Sequence, residues 1–281
     1  MLCNHPAIAG VQAEEHQGIH ESAFFSHVEG FFGDLNDANN FIQFVEVFGS
    51  SDYFRLTGLC KSLLYEHQPR TYEAAFRVVM DQYAKTQGKR FWVEKTPSHT
   101  RHAERIASYY DDAKFIIVER DVRSVVNSFI KHNDVQGGLR KRIFILRNVF
   151  HYVKYEKYAA SFIAHNHRCY RVRYEDLVNN PASSMEDICH FLGIHYDGRV
   201  TEQRFNPNSS FGALNKRESL LDDFDTLFIS LLGGAMRLLP LFAYRVIQAF
   251  LDFARPKTLP SWFWKIAKQE CNLQSAERQK S

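Results

Sequence analysis

The chain has 281 residues, enough for one large α/β domain or two small ones. With 45% hydrophobic and 24% charged residues it has an ordinary globular composition, and a net charge of +3 is too small to argue for nucleic acid as a partner. No run reaches the roughly 18 uncharged apolar residues of a membrane span, and MLCNHPAIAG lacks the basic and apolar regions of a signal peptide, so a cytoplasmic protein is expected. In chain order, residues 1–34 read as strand and loop, with Ala7 to Val11 as a small apolar run. The paired phenylalanines at 24–25 and 31–32 read as core packing. Residues 37–65 read as helix, with Phe41, Phe44, Val45 and Phe48 on one face and Gly49 as a stop. A second helix is capped by Thr71, carries Phe76, Val79, Met80 and Tyr83 inward and stops at Gly88.

Phe91 to Val93 is a short strand that Pro97 cannot continue, which leaves Lys95 at a strand end. A helix follows with Ile106 and Tyr109 inward. Phe115 to Val118 is an unbroken apolar run, the signature of a strand buried on both faces. Arg120 and Asp121 end it, and Val122, Val125, Val126 and Phe129 then fall at helical spacing. Asp121 caps that helix. Fixed charge, helix dipole and unpaired amides converge there on an anion site, to which Ser128 can add a hydroxyl. Beyond Gly137-Gly138 a long helix runs from about Leu139 to Ala164, with Ile143, Leu146, Phe150 and Val153 as its face. Residues 169–173 form a strand into Tyr174. Asn180-Pro181 opens a helix lined by Met185, Ile188 and Leu192 and closed by Gly193. Strands separated by such helices predict an α/β fold: a parallel sheet covered on both faces, with ligands at the C-terminal strand ends.

Charge and cysteine usage add two constraints. No Lys or Arg precedes Arg55, whereas eight acids do, and 226–281 holds eight Lys/Arg against three acids. The five cysteines, at 3, 60, 169, 189 and 271, lack zinc-ligand spacing, so no metal is expected. From Leu220 to Phe253 the pattern is strongly apolar, interrupted by Arg237, Pro240 and Arg245, and Trp262 and Trp264 follow beside Lys265 and Lys268. This divides the chain into 1–220 and a helical extension over 221–281. Packing on a core or partner is favoured for the extension, with a peripheral membrane contact through 226–268 as the alternative.

Three pieces in order, EKTPSH at 94–99, AKFIIVERDVRSVVNSF at 113–129 and YRVRYEDLVNNP at 170–181, resemble sulfotransferases that use 3′-phosphoadenosine 5′-phosphosulfate (PAPS). The resemblance spans roughly 1–220 and implies a phosphate-loop-kinase-like fold with PAPS as co-substrate and no metal. It implies that Arg120 and Ser128 bind the 3′-phosphate and that Lys95 reaches the sulfate and bridging oxygen. RYEDL resembles the family's structural strand-to-helix corner. A general base is implied after the His5-Pro6 pair. Glu21, in HESAFF, fits the pattern before a paired Phe; Glu14 fits the distance better, and Glu15, His16 and His20 stay open. NSSFGALNKRESLL at 208–221 resembles a loop that closes on the nucleotide, which makes Lys216 a phosphate partner, with Arg217 beside it. The family's glycine-rich loop of the type PRSGTT, which cradles the 5′-phosphosulfate, is missing from these residues. The expectation is a domain lacking its first strand and loop, impaired in transfer to an unidentified hydroxyl or amine acceptor (carbohydrate, peptide or small molecule). A degenerate nucleotide- or partner-binding module is the alternative, and a kinase-type NTPase is less favoured because no Walker lysine is present.

Overall fold

Helices alternate with short strands, and the strands pair two by two. The computed structural model describes residues 1–13, 18–202, 219–254 and 258–265. These fall into two compact units, each described by itself. The first holds Met1–His102 with the described parts of Asp197–Asn206 and Lys257–Ser281. The second holds Ala103–Tyr196 with the described part of Pro207–Pro256.

The first unit opens with strands β1 (Ile8–Ala9), β2 (Gln12–Ala13) and β3 (Gly18–Ile19). Four helices follow: α1 (Ala38–Phe48), α2 (Asp52–Leu56), α3 (Ser62–His67) and α4 (Tyr72–Thr86), then β4 (Phe91–Trp92). β1 pairs parallel with β4, Ile8 opposite Phe91, and β2 pairs antiparallel with β3. The single helix expected over 37–65 is three. Gly49-Ser50-Ser51 ends the first, and the Ser51 hydroxyl accepts the Phe54 amide to start the second. Asp37 and Thr71 cap α1 and α4 in the same way. The core is aromatic. Phe24 is fully buried, with ring centroids of Phe76, Phe48 and Phe25 at 4.6, 5.0 and 5.2 Å. Ser261–Trp264 packs on α2, with Phe263 buried, so this stretch belongs to the first unit.

The second unit contains α5 (Ala103–Tyr109), β5 (Phe115–Glu119), α6 (Val122–His132) and the 28-residue α7 (Gly138–His165). It continues through β6 (Cys169–Arg173), α8 (Tyr174–Asn179), α9 (Pro181–Leu192), α10 (Asp223–Leu238) and α11 (Leu241–Ala254). β5 and β6 are parallel and in register over five residues. The mixed α/β class with parallel strands therefore holds. Among the described residues, however, the sheets are pairs, and this corrects one expectation. Val118, read as buried on both faces, is 53% exposed, so the side of the β5–β6 ribbon that it occupies is not fully covered.

Two stripes are also rotated from their sequence reading. On α6 the buried residues are Val126 and Ile130, while Phe129 is exposed. On α7 Ile145, Val149 and Val153 are buried, while Ile143 and Leu146 are exposed. The reason is common to both. α10 and α11 contribute Ile229 and Tyr244 to a core shared with α6 and α7, so the segment read as an extension selects the inward face. Asp222 and Asp225 form a reciprocal cap on α10, and the almost fully buried Asp225 is paired with Lys141 of α7. Removing one partner of a pair this buried would leave an uncompensated charge, the costly case for ion pairs.

Candidate active site

In the first unit the structure brings Glu21 and Lys95 together. Lys95 Nζ donates to Glu21 Oε1 at 2.5 Å, and the two side chains are 50% and 35% exposed. Residues 74 positions apart meet because their neighbours are tied by a nearly buried carboxylate, Glu94. Glu94 Oε1 accepts the Ser22 hydroxyl at 2.7 Å and the Thr96 hydroxyl at 2.5 Å. Its Oε2 accepts His99 Nδ1 at 2.8 Å. The Phe25 amide donates to His99 Nε2 at 3.1 Å, so the ring proton sits on Nδ1, aimed at Glu94. Thr96 Oγ1 also accepts the Ala23 amide at 3.2 Å. This bond holds Ala23 in the left-handed region at φ 52°, immediately before the one-turn π-helix Phe24–Val28. Burial opposes ionisation of Glu94. His99 and the hydrogen bonds from Thr96 and Ser22 outweigh it and hold the carboxyl at about 2.

The chemistry of this cluster is divided. Glu94 accepts from Ser22 and Thr96 through Oε1 and from His99 through Oε2 and serves as an anchor. Among the described residues Glu21 accepts through Oε1 from Lys95, which leaves Oε2 as the oxygen able to take a proton, and Lys95 carries three donors with one committed to Glu21. His20 is buried with its ring 6.2 Å from Tyr53, a core position. Glu14, Glu15 and His16 lie outside the described residues, as do Lys216 and Arg217.

In the second unit Arg120 follows β5 directly, and its guanidinium lies 4.4 Å over the Tyr174 ring. Stacking of this kind contributes about 0.5–2 kcal/mol and fixes the plane of the fork. Arg120 Nε is buried and has no hydrogen-bond partner among the described residues. The backbone is pinned as well, since Tyr152 Oη donates to the Arg120 carbonyl at 2.7 Å. Burial, and then Glu156 nearby, push the Tyr152 phenol up to about 12, so it stays a donor across the physiological range.

The α6 N-terminus differs from the expected anion site. Asp121 caps it as read, but its Oδ1 accepts the Arg123 and Ser124 amides at 3.0 and 3.2 Å, so those donors are already used. Ser128 is exposed and sits seven residues beyond Asp121, about 10 Å of helical rise. The anion-binding capacity of this end therefore rests on the guanidinium. Among the described residues no group of three or more His, Cys, Asp or Glu could hold a metal.

Of the expected site residues, Glu21 and Lys95 meet in the first unit and Arg120 follows β5 in the second, while Glu94 and Tyr152, which hold their surroundings, were not singled out from the sequence. Glu94 stood inside EKTPSH with His99 five residues on, and that proximity was the available signal. Nothing local marked Tyr152.

Residues 52–198, just over half of the chain, match the profile of the Sulfotransferase family. Among solved structures, the chain is similar to the sulfotransferase domain from the curacin biosynthetic pathway, with 18% identity and a TM-score of 0.46, over 73% of this chain and 72% of that one. It is also similar to the sulfotransferase domain from the Synechococcus PCC 7002 olefin synthase, with 17% identity and a TM-score of 0.44, over 92% and 89%. No curated protein matches it. By the family match over 52–198, the chain belongs to the sulfotransferase family.

Proposed function

We propose that the chain acts on PAPS, with a hydroxyl or amine as sulfuryl acceptor. The observation that carries this reading is Arg120: a stacked guanidinium at a strand end whose buried Nε lacks a partner among the described residues. A buried donor without an acceptor costs about 1–3 kcal/mol, and a phosphate oxygen would remove that cost. In this reading Arg120 takes the 3′-phosphate and Ser128 plays at most an outlying part. In the first unit Lys95 neutralises charge on the sulfuryl and bridging oxygens, and Glu21 Oε2 takes the acceptor proton. The S–O bond to the acceptor forms as the bridging S–O bond breaks, and adenosine 3′,5′-bisphosphate leaves. The 281 residues contain no PRSGTT-type loop, and Lys216 is proposed as a further phosphate contact.

Calorimetry with adenosine 3′,5′-bisphosphate tests the reading. Binding is expected, weakened about 10–100-fold in Arg120→Ala, with no preference for ATP. Equal binding by the variant, or preference for ATP, would overturn it. Because the cradle for the 5′-phosphosulfate is missing from these residues, transfer of labelled sulfate from PAPS by the purified chain is expected to be slow or undetectable. Turnover at about 1 s⁻¹ or faster would show that impairment is wrong.

A further inference from the structure

We infer that the α10–α11 face of the second unit docks on an anionic lipid surface. Each helix buries one side in the shared core, through Ile229 and Tyr244, and should present polar residues on the other. Instead the outer sides are apolar. Leu231 on α10 and Phe250 on α11 are well exposed, and near the bend between them Leu238 is 86% and Phe242 73% exposed. Exposed large apolar residues recur along both helices, at Leu227, Leu231 and Leu238 and at Phe242, Val246 and Phe250, rather than singly. From Thr226 to Leu251 there is no Asp or Glu, and the two arginines within this stretch are paired, Arg237 with Glu156 and Arg245 with Glu104.

Two observations select lipid over other occupants. The first is geometry. No single described helix is long and apolar enough to cross a membrane, but α10 and α11 pass that test together and are bent by 98°. A bent apolar pair with its tip exposed can enter the headgroup and acyl boundary without spanning it. The second is charge. The first turns of α7 expose Leu139, Ile143 and Leu146 among Arg140, Arg142 and Arg147. Arg142 lies 3.9 Å over the ring of Phe224, which ties this basic stripe to the first turn of α10, where Asp222 and Asp223 are also exposed. An isologous dimer through the face would set arginines against arginines, whereas lipid phosphates complement them.

The test is co-sedimentation of the full chain with vesicles of phosphatidylcholine alone and of phosphatidylcholine with phosphatidylserine. Binding is expected to the second kind and to be lost in Phe242→Glu/Phe250→Glu, whose exposed positions leave the fold and circular dichroism unchanged. Arg140→Glu/Arg147→Glu, with the apolar face intact, is expected to weaken binding about tenfold or more, as is raised salt. Three outcomes overturn the inference: no sedimentation with either vesicle, equal sedimentation with both, or binding unaffected by the Phe variant. A dimer in ultracentrifugation that the Phe variant abolishes, with no vesicle binding, would assign the face to a second copy instead.

Discussion

Replacing Glu94 by alanine is expected to destabilise the first unit by about 3–5 kcal/mol, read as a large drop in the urea midpoint at pH 7. The variant removes the acceptor for Ser22, Thr96 and His99 together and leaves their donors in a nearly closed site. Glu94→Gln keeps the shape and is expected to lose less. It also tests the origin of the effect through pH. The folded carboxyl is held at about 2, below its ordinary 4.5, so its contribution is fully present above about pH 4.5 and is lost as pH falls toward 2. Wild type should therefore weaken between pH 4.5 and 2 more steeply than Glu94→Gln. Parallel pH profiles for the two proteins would remove Glu94 from its anchoring role.

Phe24→Ala is the second large effect, with an expected loss of about 3–5 kcal/mol. Phe24 is fully buried, and besides Phe25, Phe48 and Phe76 its ring lies 6.3 Å from Phe44 and 6.4 Å from Tyr72. The rings come from α1, α4 and the π-turn, so truncation opens a cavity that no single element can relax to fill. Phe31→Ala is the internal control. It removes the same atoms from a half-buried site and is expected to cost less than half as much. Thermal melts of the two variants side by side check this; equal shifts would mean the cluster has no centre at Phe24.

How much of this was legible depended on whether the signal was local. The caps at Thr71 and Asp121, the stop at Gly193 and Pro181 in the first turn of α9 are one-turn chemistry, and each lies where it was read. Inward faces were less legible. Ile143 was a sound choice by spacing, but α10, some 80 residues later, decides which side of α7 is covered. Val118 was misjudged for the same reason, since an apolar run does not reveal whether a later element will cover each face of its strand. Of the candidate site, Lys95 and Arg120 were readable as cations at strand ends, and Glu21 through its place before the paired phenylalanines. Their fixation was not readable, because Ser22 and Glu94 are 72 residues apart and carry no periodicity. The unused donor on Arg120 is a property of packing that no residue pattern encodes.

The parallel pairing of β1 with β4 sets a condition on how the chain is made. Ile8 has no strand to join until Phe91 has been synthesised, because four helices of sequence separate them. At about 5–20 residues per second, the Ala7 and Ala9 carbonyls wait roughly 4–17 s for the amides of Phe91 and Val93. The chain leaving the ribosome thus carries an open strand edge, beside phenylalanines whose core is unfinished, through that interval. Yield in cells should therefore be governed by the speed of translation through residues 10–90 and by chaperone supply, as much as by the stability of the finished fold.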